Sequence, residues 1–119
     1  MRQIIVFFLL LLCLSGFDKK QQGVYVAFKN GSKETFKSLH VKIRGQDYYF
    51  NELKSGKSTK PINVDSTYRY CYAEVITKKD TLVFQPIDYV GETLHTAGKV
   101  TMELYIFPEE GTDRELRIR

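Results

Sequence analysis

Three side chains able to ligate a metal, Asp88, Glu92 and His95, share the segment Pro86 to Gly98. Two carboxylates and an imidazole could hold a zinc ion with one position left open. Zinc sites, however, draw closely spaced His or Cys ligands from at least two elements. A single connection with one histidine falls short of that, so no metal centre and no cofactor is expected; these three residues are the nearest approach to one. Gly56-Lys57-Ser58-Thr59 resembles the end of a phosphate-binding loop. The full motif needs glycine at position 51, where Asn51 stands, and a helix directly afterwards to aim backbone N–H groups at the phosphate. Pro61 and a strand pattern follow instead, so a turn is expected. His40 shares a face with Lys42 and Arg44 and reads as part of a solvated strand face rather than a general base. No Ser or Cys lies in a nucleophile-elbow or triad context. No catalytic residue is named on these grounds, and an enzyme ranks last among the functions considered.

The tyrosines offer recognition chemistry. Tyr68, Tyr70 and Tyr72 fall on one side of an alternating run, with Cys71, Ala73 and Val75 on the other. Tyr48 and Tyr49 are nearby in sequence. Tyr is enriched at protein interfaces and can stack on sugar rings. If Cys71, Ala73 and Val75 face the core, the tyrosine stripe faces out or lies under a loop. Both faces are apolar enough to be buried, so periodicity alone leaves the choice open. Tyr68, Tyr70, Tyr72 and Tyr89 are the binding-surface candidates.

These residues need strands to position them. Val24, Val26 and Phe28 alternate with Tyr25, Ala27 and Lys29, and Asn30-Gly31-Ser32 then breaks the run as a hairpin turn. Asn30-Gly31-Ser32 also matches a glycosylation acceptor, which matters only in a eukaryotic secretory route. Leu39, Val41 and Ile43 mark the apolar side of a half-buried strand. Gly45-Gln46-Asp47 turns into Tyr48-Tyr49-Phe50. Ile62 and Val64 mark a short strand behind Pro61. Tyr68 to Thr77 reads as one long strand and Thr81 to Phe84 as another. Val100, Met102, Leu104 and Ile106 alternate through Lys99 to Phe107, and Pro108 to Asp113 close a hairpin onto Glu115 to Ile118. The segment 86–98 is long for a loop; Ile87, Tyr89, Val90 and Leu94 are expected to tuck it against the sandwich, with Gly91 and Gly98 allowing tight bends. Seven or eight short strands, each with one apolar face, must pair those faces. The expected class is all-β: an antiparallel sandwich of immunoglobulin-like or transthyretin-like architecture, with a small β-barrel as the alternative.

The N-terminus carries a different signal. Arg2 precedes an unbroken apolar run from Ile4 to Leu12, which ends at Ser15-Gly16 before a polar stretch. A spanning helix needs about 20 apolar residues, and this run is shorter. Its length fits the core of a secretory signal peptide. The expected organisation is a signal peptide over 1–16, a polar linker over 17–22 and a single β-sandwich domain over 23–119. Cys13 opens a second processing route, lipidation after cleavage before the cysteine, although Leu10-Leu11-Leu12 is bulkier than such signals prefer. Without Cys13, Cys71 is left without a partner and reads as a buried structural thiol. The net charge is +4. Arg2 lies in the leader, and the remaining 17 basic residues stand against 14 acidic ones, spread along the chain. A diffuse positive charge of this kind speaks for solubility rather than nucleic-acid binding.

A short leader, a Val-rich first strand, the Leu53-Lys54-Ser55-Gly56-Lys57-Ser58 loop, a Tyr-rich strand and a closing hairpin together resemble the small exported, often lipid-anchored β-sandwich proteins of unknown function encoded in Bacteroidetes-type genomes. The nearest thing to a motif is Asp88-Tyr89-Val90-Gly91-Glu92. The resemblance implies β architecture and an envelope location, periplasmic, extracellular or anchored through Cys13. It implies no activity. The first expectation is therefore a non-catalytic domain binding an envelope protein or polysaccharide through the tyrosine face, the 86–98 loop, or both. A small-ligand or metal-binding accessory protein using that loop is the second, and an inhibitor or immunity-type protein the third.

Overall fold

The computed structural model describes residues 23–119. The leader and Cys13 lie outside the described residues. Eight strands follow in order: β1 (Gly23–Asn30), β2 (Phe36–Ile43), β3 (Gln46–Leu53), β4 (Ile62–Val64), β5 (Tyr72–Ile76), β6 (Thr81–Phe84), β7 (Ala97–Phe107) and β8 (Glu115–Ile118). They form two four-stranded sheets, β4-β1-β7-β8 (sheet A) and β3-β2-β5-β6 (sheet B). Among the described residues no ladder joins one sheet to the other, so the architecture is a β-sandwich and not a closed barrel.

Alternation places the core as the sequence dictates. A pleated strand sends successive side chains to opposite faces. Val24, Val26 and Phe28 of β1, Leu39, Val41 and Ile43 of β2, and Val100, Met102, Leu104 and Ile106 of β7 are all buried between the sheets. Cys71, Ala73 and Val75 join them from sheet B. Burying a Val, Leu, Ile, Phe or Met side chain is worth about 1.5–3 kcal/mol, and this interlayer is where the fold gains its stability.

Four points differ from the sequence reading. The sheets are antiparallel except that β1 and β7 run parallel, with Val26 opposite Val100 and Phe28 opposite Met102. Parallel neighbours need a crossover, and here the chain visits sheet B between the two strands. Asn30-Gly31-Ser32 is likewise no hairpin, because it carries the chain from sheet A to sheet B. Asn30 is fully buried. Its amide nitrogen donates to the carbonyls of Glu34 (2.7 Å) and Leu53 (2.9 Å), and its oxygen accepts from the Ser32 backbone and hydroxyl. That nitrogen is committed to the fold and is no glycan acceptor. The strand expected over 68–77 forms a ladder only from Tyr72 to Ile76. Finally, β7 starts at Ala97, so the connection from β6 spans 85–96.

At one end of the sandwich Arg114 ties the sheets together. Its side chain is only 3% exposed. It forks onto both oxygens of Asp80 at 3.1 Å, engages both oxygens of Glu34, and donates to the Glu109 carbonyl. Glu34 follows β1, Asp80 precedes β6 and Arg114 precedes β8, so one guanidinium holds three connections.

Candidate functional site

The opposite end carries the aromatic residues. Arg44 and Gly45 form the two-residue turn between β2 and β3, both with positive φ (50° and 84°). Such a turn matches the strand twist of a hairpin. It carries Arg44 to 5.8 Å over the ring of Tyr68. On its other side Tyr68 stacks against Tyr89, with centroids 4.2 Å apart and planes at 11°. Tyr89 also stacks on Tyr70 at 5.2 Å. Tyr70 in turn meets Phe84 edge-on and donates its hydroxyl to the Asp88 carbonyl at 3.1 Å. Three of the four binding-surface candidates, Tyr68, Tyr70 and Tyr89, thus come together. Cys71, Ala73 and Val75 are core, and Tyr68 and Tyr70 stand on the other side, against Tyr89 of the 85–96 loop. Burial, with smaller repulsion from Glu92 and Asp88, raises the Tyr70 hydroxyl above its ordinary value. Burial does the same for Tyr89.

Tyr89 roots the loop, but the other apolar loop residues do not follow it. Ile87 is 97% exposed and Val90 87%, so the expectation that they tuck inward is overturned. The Asp88 carboxylate accepts the Val90 N–H (3.1 Å), the Tyr89 carbonyl accepts the Glu92 N–H (3.0 Å), and Gly91 takes φ +83°. This tight turn fixes Tyr89 inward and leaves the flanking side chains in water. His95 closes the loop with a two-way backbone pairing to Thr67 at 2.8 and 2.9 Å. Of Asp88, Glu92 and His95, only Asp88 engages the loop through its side chain; Glu92 and His95 contribute backbone groups, and the buried Nε2 of His95 has no hydrogen-bond partner among the described residues. No group of three metal-ligating side chains converges among the described residues.

A groove of about 290 Å³ opens beside the stack, walled by Tyr68, Tyr70, Tyr89, Lys42, Arg44 and Gln85. Cys71 lies beneath it, buried, with its thiol pushed up to about 12 by desolvation and its sulfur 3.8 Å from that of Met102. A thiol so protonated is inert at neutral pH. Gly56-Lys57-Ser58-Thr59 sits elsewhere, alongside β1, where Thr59 exchanges hydrogen bonds with the Phe28 backbone.

The fourth candidate, Tyr72, belongs to a second cluster on the outer face of sheet B. Cross-strand register places Tyr49, His40, Glu74 and Val83 in one row. His40 stacks on Tyr49 (4.4 Å, 8°), meets Tyr72 edge-on, and shares a 2.7 Å hydrogen bond with Asp47. No other hydrogen-bond partner of the His40 ring is found among the described residues. Tyr49 is 72% exposed, with its second face in water. Sequence reasoning passed over Tyr49 and His40 as site residues; the signal was their opposition across a hairpin, which appears only once the register is known.

The two outer faces differ in kind. On sheet A, Arg119 pairs with Glu103 and packs over Tyr105, and Arg117 pairs with Glu115 and packs over Phe107, which stays 48% exposed. On sheet B, Tyr49, Ile76 and Val83 are exposed, and Ile87, Val90 and Leu94 follow on the loop leaving β6.

No protein-family model matches the chain, and no curated protein matches it. Among solved structures, the NMR structure of a protein from Eubacterium rectale is similar, with a TM-score of 0.55 over 85% of this chain and 91% of that one. The two sequences are 20% identical, and the likeness speaks for the fold alone.

Proposed function

We propose that the chain is an exported binding module of the cell envelope, without catalytic chemistry of its own. It engages a protein partner with the outer face of sheet B and the 85–96 loop. The observation that carries this reading is the pair Ile87 and Val90, held in water on a loop that Tyr89 roots between two other tyrosines. A rooted loop has already met much of the ordering cost of its backbone, so its apolar tip can bury surface on contact at a smaller entropic cost. Exposed apolar side chains gathered beside a polar rim mark interaction sites.

A protein partner is favoured over a polysaccharide. The faces of Tyr68, Tyr70 and Tyr89 are spent on one another and on Arg44, which leaves Tyr49 as the open ring. The other large hydrophobic side chains exposed on this surface, Ile76, Val83, Ile87, Val90 and Leu94, are aliphatic, and aliphatic tips suit a protein pocket better than a sugar chain. The leader is the support for envelope location, with Cys13 as the anchor in the lipidated form.

The test is affinity capture from intact cells after cross-linking. Wild type is expected to retain one reproducible envelope protein, and Ile87→Asp combined with Val90→Asp to lose it while keeping the wild-type melting temperature. Retention by the double variant would refute the loop's role. Capture of a glycan in place of a protein would replace the partner class.

A further inference from the structure

The hairpin turn between β2 and β3 uses a residue that the turn itself disfavours. Positive φ at both central positions, 50° at Arg44 and 84° at Gly45, is the pattern of a type I′ turn, for which Asn-Gly is the preferred pair. Among side-chain-bearing residues Asn and Asp tolerate positive φ best, and a long side chain there is strained. Arg44 therefore costs the turn stability, and what it supplies is a guanidinium fixed 5.8 Å over the Tyr68 ring.

That guanidinium belongs to none of the ion pairs among the described residues. Lys42 stands two residues earlier on the same outer face of sheet B, exposed and likewise in none of those ion pairs. Its cross-strand neighbour Asp47 gives its carboxylate to His40 at 2.7 Å instead. The acids of the loop act at the other end of the stack. Burial raises the Tyr70 hydroxyl, and Glu92 and Asp88 add to the rise; burial raises Tyr89 too, but there Arg44 works in the opposite direction. The groove beside the stack thus has an acidic end at Tyr70 and a cationic end at Lys42 and Arg44.

We infer that the cationic end of this groove is a carboxylate socket, which seats one Asp or Glu side chain of the partner protein between Lys42 and Arg44. The inference rests on the reading that this surface meets a protein, and it names the chemistry of the residue that is met. The groove holds about 290 Å³. Small-molecule sites run from about 300 to 1,000 Å³ and enclose their ligand, so an open groove of this size suits one side chain. Its cationic end is rich in donors. Beside the two cations stand Tyr68, Tyr72 and Tyr89, and of the tyrosine hydroxyls lining the groove only that of Tyr70 has a partner among the described residues. A carboxylate accepts charge-assisted hydrogen bonds from such a set, and a guanidinium can fork onto both its oxygens. A basic side chain would be repelled. Tyr89 both walls the groove and roots the loop that exposes Ile87 and Val90. The segment that fits is therefore an acidic residue flanked by apolar ones.

The experiment is an NMR titration of the ¹⁵N-labelled protein, purified from the cells that produce it, with two blocked tripeptides. One carries glutamate between two alanines, and the other carries glutamine there. The glutamate peptide is expected to bind about 2- to 30-fold more tightly, the range for two exposed ion pairs, with saturable shifts at Lys42, Arg44, Gly45 and Gln85. Arg44→Asn installs the preferred turn residue, so it should keep or raise the melting temperature while removing most of the preference. Lys42→Gln should reduce the preference, and the two changes together should abolish it. Equal affinity for the two peptides, shifts scattered over the surface, or a glutamate preference that survives the double change would overturn the inference. No partner is present in this titration, so its failure strikes the socket and not the loop. Retention of capture by the Ile87→Asp, Val90→Asp variant strikes the loop and not the glutamate preference.

Discussion

Replacing Tyr89 by alanine separates a loop root from a core residue. Tyr89 makes two stacked contacts, at 4.2 Å with Tyr68 and 5.2 Å with Tyr70. Aromatic pairs of this geometry are worth about 0.5–1.5 kcal/mol each beyond area burial, so the stack holds the loop by about 1–3 kcal/mol. At about 1.4 kcal/mol per tenfold, Tyr89→Ala should raise the opening equilibrium of residues 86–95 by about 5- to 150-fold. The neighbouring side chains Ile87, Val90 and Leu94 add little, because all three are exposed. Hydrogen exchange read by mass spectrometry checks this peptide by peptide. Exchange should accelerate over 86–95 while β2, β5 and β7 keep their protection, and Tyr89→Phe should restore the wild-type pattern. Unchanged exchange in the loop would show that the stack does not hold it. Accelerated exchange throughout the core would show that Tyr89 is structural for the whole domain. Either result removes the rooted loop from the account.

Arg114→Met should cost about 3–5 kcal/mol in urea denaturation, because it removes the one cation from a buried site and leaves Glu34 and Asp80 facing each other. Partial burial would raise the Asp80 carboxyl, but the Thr77 hydroxyl and Arg114 outweigh it and hold the group below its ordinary value. A lowered folded pKa gives stability that is complete above the unfolded value of about 3.9 and lost as pH falls through the folded value. Acid titration of stability should therefore show a loss beginning near pH 4 in wild type, with that component missing in Asp80→Asn. Cys71 should resist thiol reagents at pH 8 in the folded protein and react at once in denaturant, since burial pushes its thiol up to about 12.

Much of the fold was legible because the strict period of two in β1, β2 and β7 can satisfy only a half-buried sheet. Val24 to Phe28, Leu39 to Ile43 and Val100 to Ile106 all face the core as that period requires. The same rule misled over 68–77. Tyr68, Tyr70 and Tyr72 keep the period, but the backbone joins a ladder only from Tyr72, because Thr67 pairs with His95 instead. Strand direction is invisible to periodicity, and the parallel β1–β7 pair was missed for that reason. The candidate site was half legible. Tyr68, Tyr70 and Tyr89 could be named from residue type, but only structure shows that they spend their faces on each other. Ile87 and Val90 were assigned inward on hydrophobicity alone, while the turn at Asp88 to Gly91 decided the matter. Arg114 meets partners 80 and 34 residues distant, a separation that no local pattern encodes.

The central claim is that one face of the sandwich, and not the other, meets a protein partner. The most direct measurement is site-resolved photo-cross-linking in living cells, with the reactive side chain placed at position 49, 87 or 101. Tyr49 and Ile87 lie on the proposed surface, and Thr101 is exposed on β7 in sheet A. The account predicts one and the same protein adduct from positions 49 and 87 and none from 101. Adducts from 101 alone, equal adducts from all three, or none from any position would contradict it.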